Sequence, residues 1–370
     1  MKKALILGML NPQSDAVRYL KQAGWWVIGC GHRREGRAIE LVDQFELVDL
    51  RDLEGLEALA RREKVDLFYS TGSETALLAL AVVPPRLGLP TFVEKNALEI
   101  TTNKIKMREF LNERQIGAVP YRKITCEADL EGWDVFPAMV KPVDSAGQRG
   151  VFRADTLQQA KDGLERSLGY SPTKTVVIEQ FLDGPEVSAN AFVIDSKVVF
   201  NEISDRLVVE NYPGGIPRGH VLPSQTCTGE TLLQTKRMVE DCIHALNIQN
   251  GPVYFQMKLT SNGPRILECM LRFDGCHIWR LIKTVGGVDL IAAALKLLSG
   301  EKPTDFQMQP PAGVYQIQFF LTPPNQPFKE ADHPIPAGAV YSEYRYLDGQ
   351  TVRPVNGYLE VTGYSIIPVE

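Results

Sequence analysis

The first 95 residues constrain the fold most, because two kinds of segment alternate there with few interruptions. Short apolar runs, "KKALILGM" (2–9), "WWVIGC" (25–30), "FELVDL" (45–50) and "VDLFYS" (65–70), read as strands. Between and after them lie "SDAVRYLKQAGW" (14–25), "LEGLEALARREK" (53–64) and "SETALLALAVVPPRL" (73–87), which read as helices. Ser14-Asp15 is a helix-start signal and Gly24 a stop. A strand-helix-strand succession predicts a mostly parallel, doubly wound sheet. The first turn, "GMLNPQSD", lacks the G-x-G-x-x-G that lets a pyrophosphate approach the backbone, so a nicotinamide cofactor is disfavoured. Asn11-Pro12 also breaks the first apolar run too early for a secretory signal.

Beyond residue 95 the pattern changes. "NALEITTNKIKMREFLNERQIG" (96–117) reads as a helical linker. Four strand-like runs follow, "AVPYRKI", "AMVKPV", "GVFRA" and "TVVIEQFL", with the helix "TLQQAKDGLERSL" among them. From Val187 the chain is β-rich, with one long helix, "TLLQTKRMVEDCIHALNI". A Pro- and Gly-rich stretch over 306–370 is expected to form a small β-appendage.

The 370 residues have room for two or three domains. A net charge of −5 with no basic block argues against a general nucleic-acid or anionic-membrane surface. No run approaches the roughly 18 apolar residues of a membrane helix. Six cysteines without a C-x-x-C pair argue against structural zinc and a disulfide framework, and predict reduced thiols in a cytoplasmic protein.

Four stretches could carry chemistry. In "AMVKPVDSAGQRGV" (138–151) an apolar strand delivers Lys141 to its end. The small residues Ser145, Gly147 and Gly150 then allow backbone N–H groups to turn toward an anion. The alternative is a strand-end lysine reaching solvent beside a turn. In "EQFLDGPE", Glu179, Gln180, Phe181 and Leu182 would extend past a strand with free backbone groups able to read an adenine edge, and Glu186 could accept from ribose hydroxyls. The bland reading is strand, turn, strand with solvated acids. In "YFQMKLTSNGPRILECMLR" the turn "SNG" would fold Gln256 and Glu268 opposite each other, two oxygen ligands suited to Mg²⁺ beside phosphates; a polar-faced hairpin is the competing reading. Arg272, four residues after Glu268, could stabilise transferring negative charge or form an ordinary salt bridge.

The order and spacing of these pieces are more specific than any one of them. Residues 1–300 resemble the ATP-grasp superfamily, which includes biotin carboxylase, carbamoyl phosphate synthetase and the L-amino-acid ligases. "TGSETALLALAVVPPRLGLP" and "TTNKIKMREFLNERQIGAVPY" are similar to the family's hand-over into its nucleotide-binding region. The resemblance places Lys104 and Lys141 on ATP phosphates, the 145–150 loop over the γ-phosphate, Gln180–Leu182 at the adenine hinge and Glu186 at the ribose. It makes Gln256 and Glu268 the metal ligands and Arg272 the catalytic arginine, with Lys141 aiding catalysis. "ILECMLR" departs from the family's E-x-N-x-R, because Met270 stands where Asn is usual and a thioether is a poor ligand for a hard cation.

The fold implied is an α/β and α+β multidomain chain. A Rossmann-like domain (1–98) precedes a linker and small lid subdomain (99–183), a catalytic ATP-grasp subdomain (184–305) and the C-terminal β-rich segment (306–370). The activity implied is an ATP-dependent ligase: a carboxylate becomes an acyl phosphate, an amine displaces phosphate, and the cofactors are ATP and Mg²⁺, with Mn²⁺ as an alternative metal. The partners expected are a small carboxylate and a small amine, with a homodimer by analogy. Arg206, Arg218, His220, His277 and Arg280 are the candidates for seating the acid; "YPGGIPRGHVLPS" is expected to be a loop, and His277 and Arg280 to share a helix face. Cys269 and Cys276 are expected to be packed thiols rather than nucleophiles. The competing functions are bicarbonate activation, although no biotin-carrier segment is evident, and a nucleotide-binding regulator weakened at Met270 and Gln256.

Overall fold

A computed structural model describes residues 1–145, 149–210, 215–310 and 313–369. The N-terminal alternation folds as a four-stranded parallel sheet of β1 (Lys3–Leu7), β2 (Trp26–Gly31), β3 (Gln44–Leu47) and β4 (Leu67–Tyr69), in the order β3-β2-β1-β4. All but the first residue of β1 is buried, as expected for a central parallel strand with both faces covered. Helix α1 (Asn11–Gln22) starts three residues before the Ser14 signal. Pro12 falls in its first turn, where a missing N–H costs nothing and the fixed φ already suits a helix. Helices α2 (Leu53–Glu63) and α3 (Leu77–Leu87) complete this layer.

The expected linker helix is two helices, α4 (Lys95–Thr101) and α5 (Lys104–Glu113). Asn103 separates them: its side-chain oxygen accepts from the amides of Ile105 and Lys106, an N-cap that restarts the helix. A second sheet follows, of β5 (Tyr121–Ile124), β6 (Ala138–Pro142), β7 (Phe152–Ala154) and β8 (Val176–Gln180), in the antiparallel order β5-β8-β6-β7. With α6 (Leu157–Gly169) it encloses a small apolar core of its own around Trp133, Val140, Leu164 and Ile178.

The third sheet has eight strands. They are β9 (Glu186–Ile194), β10 (Lys197–Val208), β11 (Pro217–Leu222), β12 (Gly251–Thr260), β13 (Gly263–Met270), β14 (Val314–Thr322), β15 (Tyr341–Tyr344) and β16 (Glu360–Val369), ordered β13-β12-β9-β10-β11-β14-β16-β15. Two expectations are corrected here. The C-terminal stretch is β-rich, but it is no separate appendage: β14 pairs with β11 and carries β16 and β15 onward in the same sheet. The expected loop around Arg218 and His220 is strand β11, paired with β10 so that His220 faces Arg206. Pro217 opens that strand, where proline is tolerated, and Gly219 lets the Ile317 carbonyl approach so closely that a Cβ would meet it at 2.4 Å.

Helices α7 (Gly229–Ala245), α8 (Ile278–Gly286) and α9 (Leu290–Leu298) complete the described α-helices. The parallel sheet and the large sheet share one continuous core. All six cysteines are free, and no described helix is long and apolar enough to cross a membrane.

Candidate functional site

Strand β6 brings Lys141 to the mouth of the second sheet, and α5 begins at Lys104. Both line one cavity of about 870 Å³, together with Ser145, Gln180, Phe181, Leu182, Glu186, Arg206, Gln256, Glu268 and Arg272. Most of the groups singled out for a nucleotide therefore face one space. Met107, Met139, Val143, Phe181, Leu182 and Leu267 give part of that space an apolar wall.

A buried carboxylate organises the cationic side. Glu179, 2% exposed, is ion-paired with Lys141 and with Arg108, whose Nε lies 2.6 Å away. Burial pushes the Glu179 carboxyl up, but the Arg108 and Lys141 charges and hydrogen bonds outweigh it and hold the group down to about 2. The Glu179 carboxylate thus orients Lys141, which leaves only its backbone for the expected hinge. Sequence reasoning missed Arg108. Its signal was its place four residues after Lys104, which puts both cations on one face of a helix. Burial lowers the pKa of Lys104, with attraction from Glu268 opposing that shift; its ammonium donates to the Ser145 carbonyl at 3.2 Å. Next to it the buried Ser145 hydroxyl has no partner among the described residues, which suits a loop that receives an anion.

The hinge is narrower than expected. The Gln180 and Phe181 amides already donate to the carbonyls of Pro120 and Pro137, so among the described bonds only Leu182 keeps an unused hinge amide. Gly147 lies outside the described residues. Gly150 does not line the cavity; at φ +75° it packs between Pro142 and Tyr170, where a Cβ would come within 3.0 Å of both.

Strands β12 and β13 form the expected hairpin, with Gln256 directly opposite Glu268 and Met270 opposite Tyr254. The Gln256 amide nitrogen donates to Glu186 at 2.8 Å, so its oxygen is the end left for another partner. Gln256 and Glu268 offer one neutral oxygen and one carboxylate, a set that fits a Mg²⁺ drawing its other ligands from phosphates and water. Met270 lines the cavity and adds no hard ligand. Among the described residues no three His, Cys, Asp or Glu side chains are grouped to hold a metal unaided. Glu186 is also held by Arg206 and by Lys258 at 3.6 Å, so its carboxylate is already engaged where a ribose is expected.

The expected acid-binding residues divide. Arg206 lines the cavity; Arg218, His220, His277 and Arg280 do not. Arg218 is exposed on β11. His220 is fully buried beside Phe319, and burial with the nearby Arg206 charge pushes its pKa well down. His277 does not share a helix face with Arg280: it sits at φ +60° before α8 begins, and its ring packs between Trp279 and Tyr364. Arg280 is ion-paired with Asp15 and lies 3.9 Å from the Tyr341 ring centre, tying α8 to α1 and β15. Burial pushes the Cys276 thiol up to about 12 and the Cys269 thiol well above its ordinary value, so both are inert packing groups.

Residues 102–277 match the family model for the phosphoribosylglycinamide synthetase ATP-grasp (A) domain. Over 182 residues the chain is 27% identical to dapdiamide A synthase of Enterobacter agglomerans, covering 47% of this chain and 42% of that protein. Over 369 residues it is 24% identical to a phosphoribosylamine–glycine ligase of Methanocaldococcus jannaschii, covering 89% of this chain and 80% of that one. The chain spans less than half the length of the first curated relatives it matches. Its fold is similar to that of an L-amino acid ligase from Bacillus licheniformis, at a TM-score of 0.81 and 19% identity, covering 99% of this chain and 93% of that one. Apart from Glu74 and Thr101, every residue lining the cavity falls inside the matched segment. The matched segment and the walls of the cavity coincide, and over residues 102–277 the chain is similar to the ATP-grasp (A) domain of phosphoribosylglycinamide synthetase.

Proposed function

We propose that the protein is an ATP-dependent carboxylate–amine ligase. The observation that carries this reading is the single cavity shared by Lys104, Lys141, the 180–182 hinge, Glu268 and Arg272. An oxygen of the substrate carboxylate attacks the γ-phosphorus, the bond to the β–γ bridging oxygen breaks, and ADP leaves. The nitrogen of the amine then attacks the acyl carbon, inorganic phosphate departs and the nitrogen loses a proton, giving an amide. Little covalent chemistry falls to the protein, whose work is to position groups and neutralise charge.

Lys104 and Lys141 hold the triphosphate, Lys141 being aimed by Glu179. Leu182 and the apolar wall receive the base. Arg272 faces charge that develops on the transferring phosphoryl and the acyl adduct. Gln256 and Glu268 would hold a Mg²⁺, which supplies charge neutralisation between phosphate oxygens when bound. The substrates on this reading are small molecules, and the free thiols suit a cytoplasmic setting.

Mixing the protein with ATP, magnesium and a panel of acids and amines, with phosphate release and product mass as readouts, tests this. ADP and an amide-mass product are expected. Met270 and Gln256 motivate a second reading, a nucleotide-binding regulator with weakened catalysis. ATP binding without release of ADP across the panel would favour it.

A further inference from the structure

One end of the cavity is walled by Arg272 and Gly275, on the loop between β13 and α8. Beside that loop stands Arg345, just after β15, brought in because the C-terminal strands extend the large sheet. Its Nη2 donates to the Gly275 carbonyl at 3.2 Å, across 70 residues of sequence, and its backbone amide is fixed by the Thr362 carbonyl at 2.7 Å. The Arg345 Nε is buried without a hydrogen-bond partner, and so is the Arg272 Nε. Each guanidinium has one backbone carbonyl as its described hydrogen-bond partner, Phe273 for Arg272 and Gly275 for Arg345. Among the described residues neither forms a salt bridge within 4.0 Å. Arg206, in contrast, is paired with Glu186.

The nearby acid does not neutralise them by contact. Asp274 is 1% exposed, and its carboxylate accepts from the backbone amides of Cys276 and Ile278. Gly275 itself is exposed, and a Cβ there would meet nothing within 4 Å, so the wall is open at this residue; Arg345 stands directly behind it, bonded to its carbonyl, and is not itself among the residues that line the cavity. Buried guanidinium N–H groups without acceptors are costly unless a ligand supplies them, and a carboxylate matches their forked geometry. The reacting carboxylate needs only one of the two cations. A second guanidinium beside it is suited to a second acid group.

We propose that Arg345, together with Arg272, seats a second carboxylate of the acid substrate, so that the acid activated in this cavity is a small dicarboxylate. This rests on the ligase reading and narrows its substrate class. Arg272 faces the carboxylate that takes the phosphoryl group, and Arg345 holds the other one, which stays unreacted.

The test compares succinate, fumarate, L-aspartate and L-glutamate with acetate, butyrate, L-alanine and L-valine as acids in ATP-dependent phosphate release. Ammonium serves as the common amine. Dicarboxylates are expected to exceed the matched monocarboxylates in kcat/KM by about tenfold or more, the size of one charge-assisted pair. Arg345→Met should erase most of that ratio, chiefly through KM for the acid, and Arg345→Lys should restore part of it. A preference for monocarboxylates, or an Arg345→Met variant that slows both classes equally, would overturn the proposal.

If no acid yields ADP, the ligase reading fails, and calorimetry still decides this inference. Wild-type protein loaded with a non-hydrolysable ATP analogue should bind one of the dicarboxylates, and Arg345→Met should not. The absence of such binding to the wild type overturns the proposal. If the variant does not fold, the wild-type selectivity and binding measurements carry the decision.

Discussion

The two ends of the cavity treat their charges differently. At the end proposed for the nucleotide the principal cations are paired or engaged: Lys141 and Arg108 share Glu179, and Lys104 reaches the Ser145 carbonyl. At the far end Arg272, and Arg345 behind Gly275, have only backbone carbonyls as partners among the described residues. A site preset with its own counter-ion holds its geometry while empty, so less ordering is needed when a ligand arrives. Unpaired guanidiniums await a ligand that brings the missing charge. On the proposed function, this contrast makes the nucleotide end rigid and the acid end discriminating.

Removing the organiser of the rigid end should have the largest effect. Arg108→Ala leaves Glu179 buried with Lys141 alone and opens the Ile266 carbonyl that Arg108 also satisfies. Breaking a buried ion pair from one side costs about 3–5 kcal/mol, so the urea midpoint should fall sharply. The same change should weaken ATP binding, because Lys141 loses its aim. An unchanged midpoint would mean that Glu179 takes up a proton without strain, and the contrast between the two ends would collapse.

Lys141→Ala comes next. Loss of a charged contact to phosphate should weaken ATP affinity about 10- to 100-fold, with a smaller stability loss because Arg108 still pairs with Glu179. Equilibrium nucleotide binding checks it, and wild-type affinity would remove Lys141 from the triphosphate. Glu268→Gln should raise the magnesium concentration for half-maximal nucleotide binding about tenfold, since it removes the only carboxylate of the Gln256–Glu268 pair. Normal magnesium dependence would place the metal elsewhere.

The same contrast explains what the sequence made legible. The nucleotide end is assembled largely from short-range patterns: a strand ending in Lys141, a hinge after a strand, and a hairpin whose turn sets Gln256 against Glu268. Strand alternation and turn chemistry carry such features locally. The parallel sheet was legible for the same reason, through its apolar and amphipathic periods. The acid end depends on Arg345 meeting Gly275, a contact created only when β14, β16 and β15 extend the large sheet. No local period encodes that, and a stretch rich in Pro and Gly looked like an appendage. His277 misled for a related reason. The spacing to Arg280 was right for a helix, but a left-handed residue at the helix start turns the ring into the core. Arg218 and His220 sat in a stretch whose prolines and glycines suggested a loop, while strand pairing to both β10 and β14 outweighed that signal.

The smallest expected effect concerns the acid end and its own counter-charge. Burial pushes the Asp274 carboxyl up to about 6, against the lowering effects of its two backbone hydrogen bonds and of the Arg272 and Arg345 charges. In the unfolded chain an aspartate titrates near about 3.9. Between those values the folded state keeps a proton that the unfolded state has lost, so this group's contribution is full below about 3.9 and is lost as pH rises through about 6. Urea unfolding of the wild type across that window should therefore show a declining contribution that Asp274→Asn lacks, since the amide does not titrate; its single oxygen keeps only one of the two bonds from Cys276 and Ile278, so the variant is also less stable at every pH. The substitution also leaves the two arginines without their nearby acid, so dicarboxylate affinity above pH 6 should rise severalfold while ATP affinity stays put. If the variant and the wild type keep the same slope, Asp274 is ionised throughout the window, and the far end carries less unbalanced positive charge than its geometry suggests.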